Sequence, residues 1–227
     1  MTIQPAAREL RVREKLLTCG ANSLSDTELL AVLISSGSGK KSCVQLALDL
    51  LDHFGDLRAV LNACPNTFQK IHGLGVVRYV QLQAAREICR RSDFIDLQKN
   101  TTLTNTQQTC NYLKRQLRDK KNETVAAIFL DSQHRVIAYD ELFTGTINCA
   151  TIHTRPIIDR VLKLNAAAII LAHNHPSGLS DASQEDKAVT HRLRDALELV
   201  DVKLLDHLII GDNEIYSIMS TTKWVCH

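Results

Sequence analysis

Aromatic residues are scarce in this 227-residue chain, at 4% of the total. Any core must therefore be built mostly from Leu, Ile, Val and Ala. No stretch approaches the roughly 20 apolar residues of a membrane-spanning helix. The N-terminal MTIQPAARELRVREK carries charges where a secretory signal would carry an apolar run, so no membrane partner is expected. The seven cysteines (Cys19, Cys43, Cys64, Cys89, Cys110, Cys149 and Cys226) are odd in number and never form C-x-x-C. That spacing argues against a disulfide framework and a Cys-type zinc site, and points to a reducing cytoplasm. It also excludes a zinc deaminase, which needs H-x-E with P-C-x-x-C. Strong charge of one sign is missing too: residues 1–100 hold 13 Lys/Arg against 10 Asp/Glu, and the remainder 14 against 15. That balance permits nucleic-acid binding without demanding it.

What is present is an ordinary globular composition, 44% apolar and 23% charged, long enough for one large domain or two small ones. The first hundred residues read as helical. LSDTELLAVLIS opens with Ser25 followed by Glu28, a capping-box spacing. SGSGKK interrupts, SCVQLALDLLDHF resumes a helix that Gly55 ends, LRAVLNAC is a short helix, and Pro65 marks a restart. The polar SDFIDLQKNTTLTNTQQ has little periodicity and marks a boundary near residues 92–103, giving domains 1–100 and 101–227.

The second half changes character. ETVAAIFLD (123–131) and RVIAYDELF (135–143) are strand-like runs around SQH, a predicted hairpin. TRPIIDRVLKLN has helical periodicity, with Pro156 in its first turn. AAAIILA is a short strand apolar on both faces, followed by a histidine-rich loop and a helix from Ser183. VKLLDHLIIG and EIYSIM supply closing strands. This order predicts an α/β sandwich, helices covering one mixed sheet, behind an all-helical N-terminal domain.

The chemistry concentrates in LAHNHPSGLSDASQED (171–186). In extended backbone His173 and His175 point the same way, because side chains alternate along a strand. Two imidazoles at a strand end make half of a metal site. Asp186, in the first turn of the next helix, can fold back towards them. Three protein ligands leave a fourth position open, as in catalytic zinc sites. Ser183-x-x-Asp186 is equally a capping box, and NHPSG equally a simple turn.

The pattern H-x-H-x7-S-x2-D, met by His173, His175, Ser183 and Asp186, resembles the JAMM signature of MPN-type metalloproteases. FLDSQHRVI, LFTGTIN, AAAIILAHNHPSG and LLDHLIIGD, with REKLLTCGANSLSDTELLAVLISSG and IHGLG upstream, resemble the RadC family of bacterial proteins. The likeness covers nearly the whole chain. It implies an MPN/JAMM domain holding Zn2+ through His173, His175 and Asp186. It also implies an upstream glutamate as general base, Glu123 ahead of the runner-up Glu141, with Ser183 stabilising an oxyanion. Asp206 and His207 could support the ligands from behind or be structural; a buried Asp–His pair in a strand is more often structural, and both stay outside the site. HTRP (153–156) stands where RadC-like chains usually read HPRE, a departure that touches no predicted ligand.

IHGLGVV (71–77) fits a helix-hairpin-helix, in which Gly73 and Gly75 allow a tight turn whose amides can bind a phosphate. Lys40, Lys41 and Arg78 are the candidate DNA-backbone contacts. The expected function is a zinc-dependent hydrolase cleaving a peptide or isopeptide bond, with protein or peptide as substrate. The alternative is a DNA-associated repair or recombination protein whose metal site acts on nucleic acid or is structural.

Overall fold

The computed structural model describes residues 5–99, 106–145 and 152–225. The chain divides into two compact units, residues 1–89 and 90–227.

The first unit is helical: α1 (Pro5–Cys19), α2 (Asp26–Ile34), α3 (Cys43–Phe54), α4 (Leu57–Leu61), α5 (Pro65–Phe68) and the first part of α6 (Val76–Lys99). Ser25 and Glu28 form the expected capping box at α2, and Gly55, at φ 95°, ends α3. The unit closes on a core of aliphatic side chains around one aromatic, with Leu30, Ile34, Leu46, Leu50, Phe68 and Leu82 all buried. The glycine turn of 71–77 does join two helices, but the one before it, α5, has only four residues.

Helix α6 continues to Lys99, into the polar stretch that the sequence marks as a boundary. The cause is non-local. Leu97 is buried and Phe94 packs beside it, in a cluster with Tyr112 and Leu113, so this polar stretch has a core to fold against. Residues 100–103, the rest of that expected boundary, lie outside the described residues. Helix α7 (Thr106–Leu117) and strand β6 (Thr222–Val225) are two elements the sequence reading did not assign.

The second unit is built on β1 (Thr124–Leu130), β2 (Val136–Thr144), β3 (Ala168–Asn174), β4 (Lys203–Ile210), β5 (Glu214–Ser217) and β6, with α8 (Thr154–Leu164) and α9 (Gln184–Glu198). The strands form one six-stranded sheet in the order β2-β1-β3-β4-β5-β6. Only β3 and β4 run parallel, because α9 carries the chain between them; the other neighbours are antiparallel. Every residue of β1 and β3 is buried, as strands covered on both faces require. Ala126, Ile128 and Leu130 pack with Leu113 and Leu117 of α7 on one face. Val125, Ala127 and Phe129 pack with Ile157 of α8 and Leu193 of α9 on the other. This second face carries the histidines to the strand end.

Candidate metal centre

Strand β3 ends in His173 and Asn174, and each takes a different face. His173 continues the alternation of Ile169 and Leu171 towards the α8 and α9 side, and it is fully buried. His175 follows in the loop, its N–H donating to the carbonyl of Ile210 at 3.2 Å. The loop is stitched to the β4–β5 turn, where the Asp212 N–H donates to Gly178 O at 2.9 Å. Gly178 sits at φ 81°, a left-handed conformation that favours glycine, and a Cβ there would lie 2.6 Å from Asp212 Oδ2. Helix α9 then starts at its cap, Ser183, and presents Asp186 from its first turn.

The three side chains meet. Ligand atoms of His173, His175 and Asp186 all lie within 4.8 Å of one another. His173 Nε2 is 3.1 Å from His175 Nε2 and 3.3 Å from Asp186 Oδ1. Neighbouring bonds fix which of these atoms carry protons. His175 Nδ1 lies 2.9 Å from the carbonyl oxygen of Leu179. A carbonyl only accepts, so Nδ1 holds the proton and a neutral His175 has a bare Nε2. His173 Nδ1 lies 2.8 Å from Nε2 of the buried His207, whose Nδ1 is 2.6 Å from Thr190 Oγ1. Burial pushes the pKa of His173 down to about 4, a shift that the Asp186 carboxylate opposes and His175 reinforces. Burial likewise holds His207 well below the usual histidine value. Both rings are therefore neutral near pH 7. Two imidazoles and a carboxylate converging on one point form a group that could hold a metal ion, and as a donor set they fit zinc with a fourth position open.

Ser183 caps α9 and supports Asp186 together. Its Oγ accepts the Asp186 N–H at 3.0 Å and donates to Asp186 Oδ2 at 2.6 Å, while its own N–H donates to Oδ2 at 2.8 Å. Oδ1 is the oxygen that faces His173 Nε2, at 3.3 Å, while Oδ2 lies 3.8 Å from His175 Nε2. The capping-box and ligand readings of Ser-x-x-Asp thus describe one and the same geometry.

Glu123 immediately precedes β1. It stands two residues before Val125, which pairs with His173. Its backbone is anchored on both sides: the Gly145 N–H donates to Glu123 O at 2.8 Å, and Asn174 Oδ1 accepts the Thr124 N–H at 2.9 Å. Glu141 pairs with Ala126, which belongs to the opposite face, and accepts from Lys120 Nζ at 2.8 Å.

Asn174 and Thr190 carry no signal in the sequence. His207, open there to either a supporting or a structural part, lies against the candidate ligand His173, with His207 Nε2 2.8 Å from His173 Nδ1. Asp206, its neighbour, does hold structure: its carboxylate accepts from Ser217 Oγ and from two backbone N–H groups.

Within the first unit two of the three predicted cations, Arg78 and Lys41, are engaged locally. Arg78 donates to the carbonyls of Ser36 and Gly37, each at 2.9 Å, and to that of Gly73, tying the two glycine turns together. Gly73 adopts φ 92°, and a Cβ there would lie 3.0 Å from Leu46 Cδ2. Lys41 pairs with Asp49 at 2.6 Å, while Lys40 and Gly75 are exposed. No helix among the described residues is long and apolar enough to cross a membrane.

A helical unit followed by a mixed sheet that carries a His-x-His…Asp cluster at a strand end defines a protein of the JAB/MPN α/β class. Residues 103–224 match the RadC-like JAB domain, and residues 3–80 match the UPF0758 N-terminal region. The chain is 67% identical to a UPF0758 protein of Legionella pneumophila (strain Corby) across the full length of both. It is 49% identical to a UPF0758 protein of Halorhodospira halophila and 47% to one of Cellvibrio japonicus, covering 96% of this chain and 97% of each relative. The chain belongs to the RadC family, among its UPF0758 proteins.

Proposed function

We propose that this protein is a zinc-dependent hydrolase of the JAMM type that cleaves a peptide or isopeptide bond. The observation that carries the reading is the convergence of His173 Nε2, His175 Nε2 and the Asp186 carboxylate within 4.8 Å. Three electron-pair donors facing one another repel unless a cation lies among them. Zinc held by such a set supplies a Lewis acid that acidifies water and polarises a scissile carbonyl.

The chain's own residues divide the remaining work. Glu123, two residues before the Val125 that pairs with His173 and with its carbonyl held by the Gly145 N–H, is the carboxylate that takes the proton of the attacking water and returns it to the leaving nitrogen. Ser183 sits at the mouth of α9, where its hydroxyl steadies Asp186 and can turn to the oxygen developing negative charge. The 2.8 Å salt bridge of Glu141 to Lys120, on the other face, argues against that residue as the base. The nucleic-acid reading draws less support, since Arg78 and Lys41 are both engaged inside the first unit.

The test is metal content, measured on wild type and His175→Ala after dialysis, followed by peptide and isopeptide screening with Glu123→Gln as control. The reading expects about one zinc per wild-type chain, little in His175→Ala, and zinc retained without turnover in Glu123→Gln. A wild-type chain that takes up no zinc on titration sinks it.

A further inference from the structure

The buried polar groups behind His173 form a closed chain, and its proton directions can be worked out bond by bond. Thr190 Oγ1 lies 2.6 Å from the backbone carbonyl oxygen of Asp186. Two oxygens approach so closely only with a proton between them, and the carbonyl has none to give, so the hydroxyl donates there. Having used its one proton, Thr190 Oγ1 must accept from His207 Nδ1, 2.6 Å away. A neutral His207 protonated on Nδ1 has a bare Nε2, which can only accept. His173 Nδ1, 2.8 Å from it, is therefore the donor. A neutral imidazole protonated on Nδ1 leaves Nε2 bare, and that is the atom facing His175 and Asp186.

From this we propose that Thr190 and His207 are positioning residues: a Thr190–His207–His173 relay fixes His173 in the one tautomer whose Nε2 can accept a metal. The inference rests on the metal reading above, and adds to it how the first ligand is held ready. The relay starts and ends on the same centre. Asp186 supplies a ligand oxygen through its side chain and accepts the first bond through its backbone carbonyl. Helix α9 thus sets both the third ligand and, by way of strand β4, the protonation of the first. His175 needs no such relay, because the loop carbonyl of Leu179 fixes its tautomer directly.

Reversing the Thr190–His207 and His207–His173 bonds would put a proton on His173 Nε2, pointed at Asp186 and in the way of a cation. Thr190 prevents this only because its proton is committed to the carbonyl. Thr190→Val keeps the shape of a residue that is 1% exposed but leaves His207 Nδ1–H without its acceptor. The ring then gains by moving its proton to Nε2, which drives the reversed state.

The experiment uses the full chain and two readouts. Nitrogen-15 spectra of the metal-free protein report the tautomer of His173, and competition against a chelator reports zinc affinity. In wild type and in Thr190→Ser, His173 is expected with Nδ1 protonated and Nε2 bare. In Thr190→Val it is expected to shift towards protonated Nε2, with zinc bound about 10- to 100-fold more weakly and the fold intact by amide spectrum. A role in stability alone would lower the melting temperature and leave the tautomer unchanged, and that result overturns the inference. So does a wild-type His173 protonated on Nε2, whatever the variants do. If wild type binds no zinc, the hydrolase reading falls by itself, while the metal-free spectra still decide the relay.

Discussion

Helices α2 and α9 both open on a serine whose hydroxyl accepts the amide N–H three residues on, while that residue's carboxylate takes the serine's own N–H. At α2 the carboxylate is Glu28, and Lys15 Nζ donates to it at 2.7 Å in addition to the Ser25 N–H at 2.9 Å. Charge meets charge and the corner is closed. At α9 the carboxylate is Asp186, and Ser183 approaches Oδ2 through both its N–H and its hydroxyl. Its other oxygen faces a bare histidine nitrogen at 3.3 Å. The same local device is a helix start in one place and part of the candidate metal centre in the other. What separates them is the element delivered opposite: a lysine from α1, or the end of β3 with two imidazoles.

The sharpest way to break this comparison is to remove the charge from each box in turn. Asp186→Asn keeps an acceptor for the cap and loses the anionic ligand, so zinc uptake should weaken by more than about 100-fold, beyond the effect of losing an outer partner. Glu28→Gln should leave zinc uptake as it is. Metal titration of the two variants side by side checks this, and equal losses would mean the boxes differ less than their surroundings imply.

A smaller and more pointed change is Asp186→Glu, which writes the α2 version of the box into α9. Ser-x-x-Glu caps at least as well as Ser-x-x-Asp, so stability by denaturant should stay within about 1 kcal/mol of wild type. The carboxylate now sits one methylene further out, and zinc should bind about 10-fold more weakly or worse. Separating the two quantities in one variant shows that capping and ligation are distinct demands on residue 186.

These contrasts also mark where the sequence was legible. His173, His175 and Asp186 could be read because a strand end and the first turn of a helix place side chains by local rules. The sandwich itself followed from strand-like and helical runs whose periods are local too. Thr190 and His207 could not be read in the same way. Their bond spans 17 residues and that of His207 to His173 spans 34. The parallel register of β3 on β4 shifts between Ile169 and Ile170, so His207 comes opposite Leu171 only once that irregularity is known. Asn174 is similar: its amide holds residues 50 and more positions upstream. Helix residues 94 and 97 read as part of a boundary because their apolar partners, Tyr112 and Leu113, come later in the chain.

The smallest expected effect lies at α2, and it isolates charge from hydrogen bonding. Glu28 is held below its usual 4.5, first by the hydrogen bond from Lys15 and then by the Ser25 N–H. A carboxylate with a depressed folded pKa adds stability above its unfolded value, and loses it as pH falls through the folded one. Between those two values the unfolded chain binds the extra proton. Glu28→Gln keeps an oxygen acceptor for the Ser25 N–H but cannot carry the charge that meets Lys15. The stability gap between wild type and this variant should therefore hold steady from pH 7 to about 4.5 and shrink at lower pH. Being an exposed pair, it should stay below about 1 kcal/mol and fall further in high salt. Denaturant titrations across that pH range measure it. A gap unchanged down to pH 3 would mean that Glu28 acts at α2 through its hydrogen bond alone, and that the lysine opposite it does not distinguish this box from the one at α9.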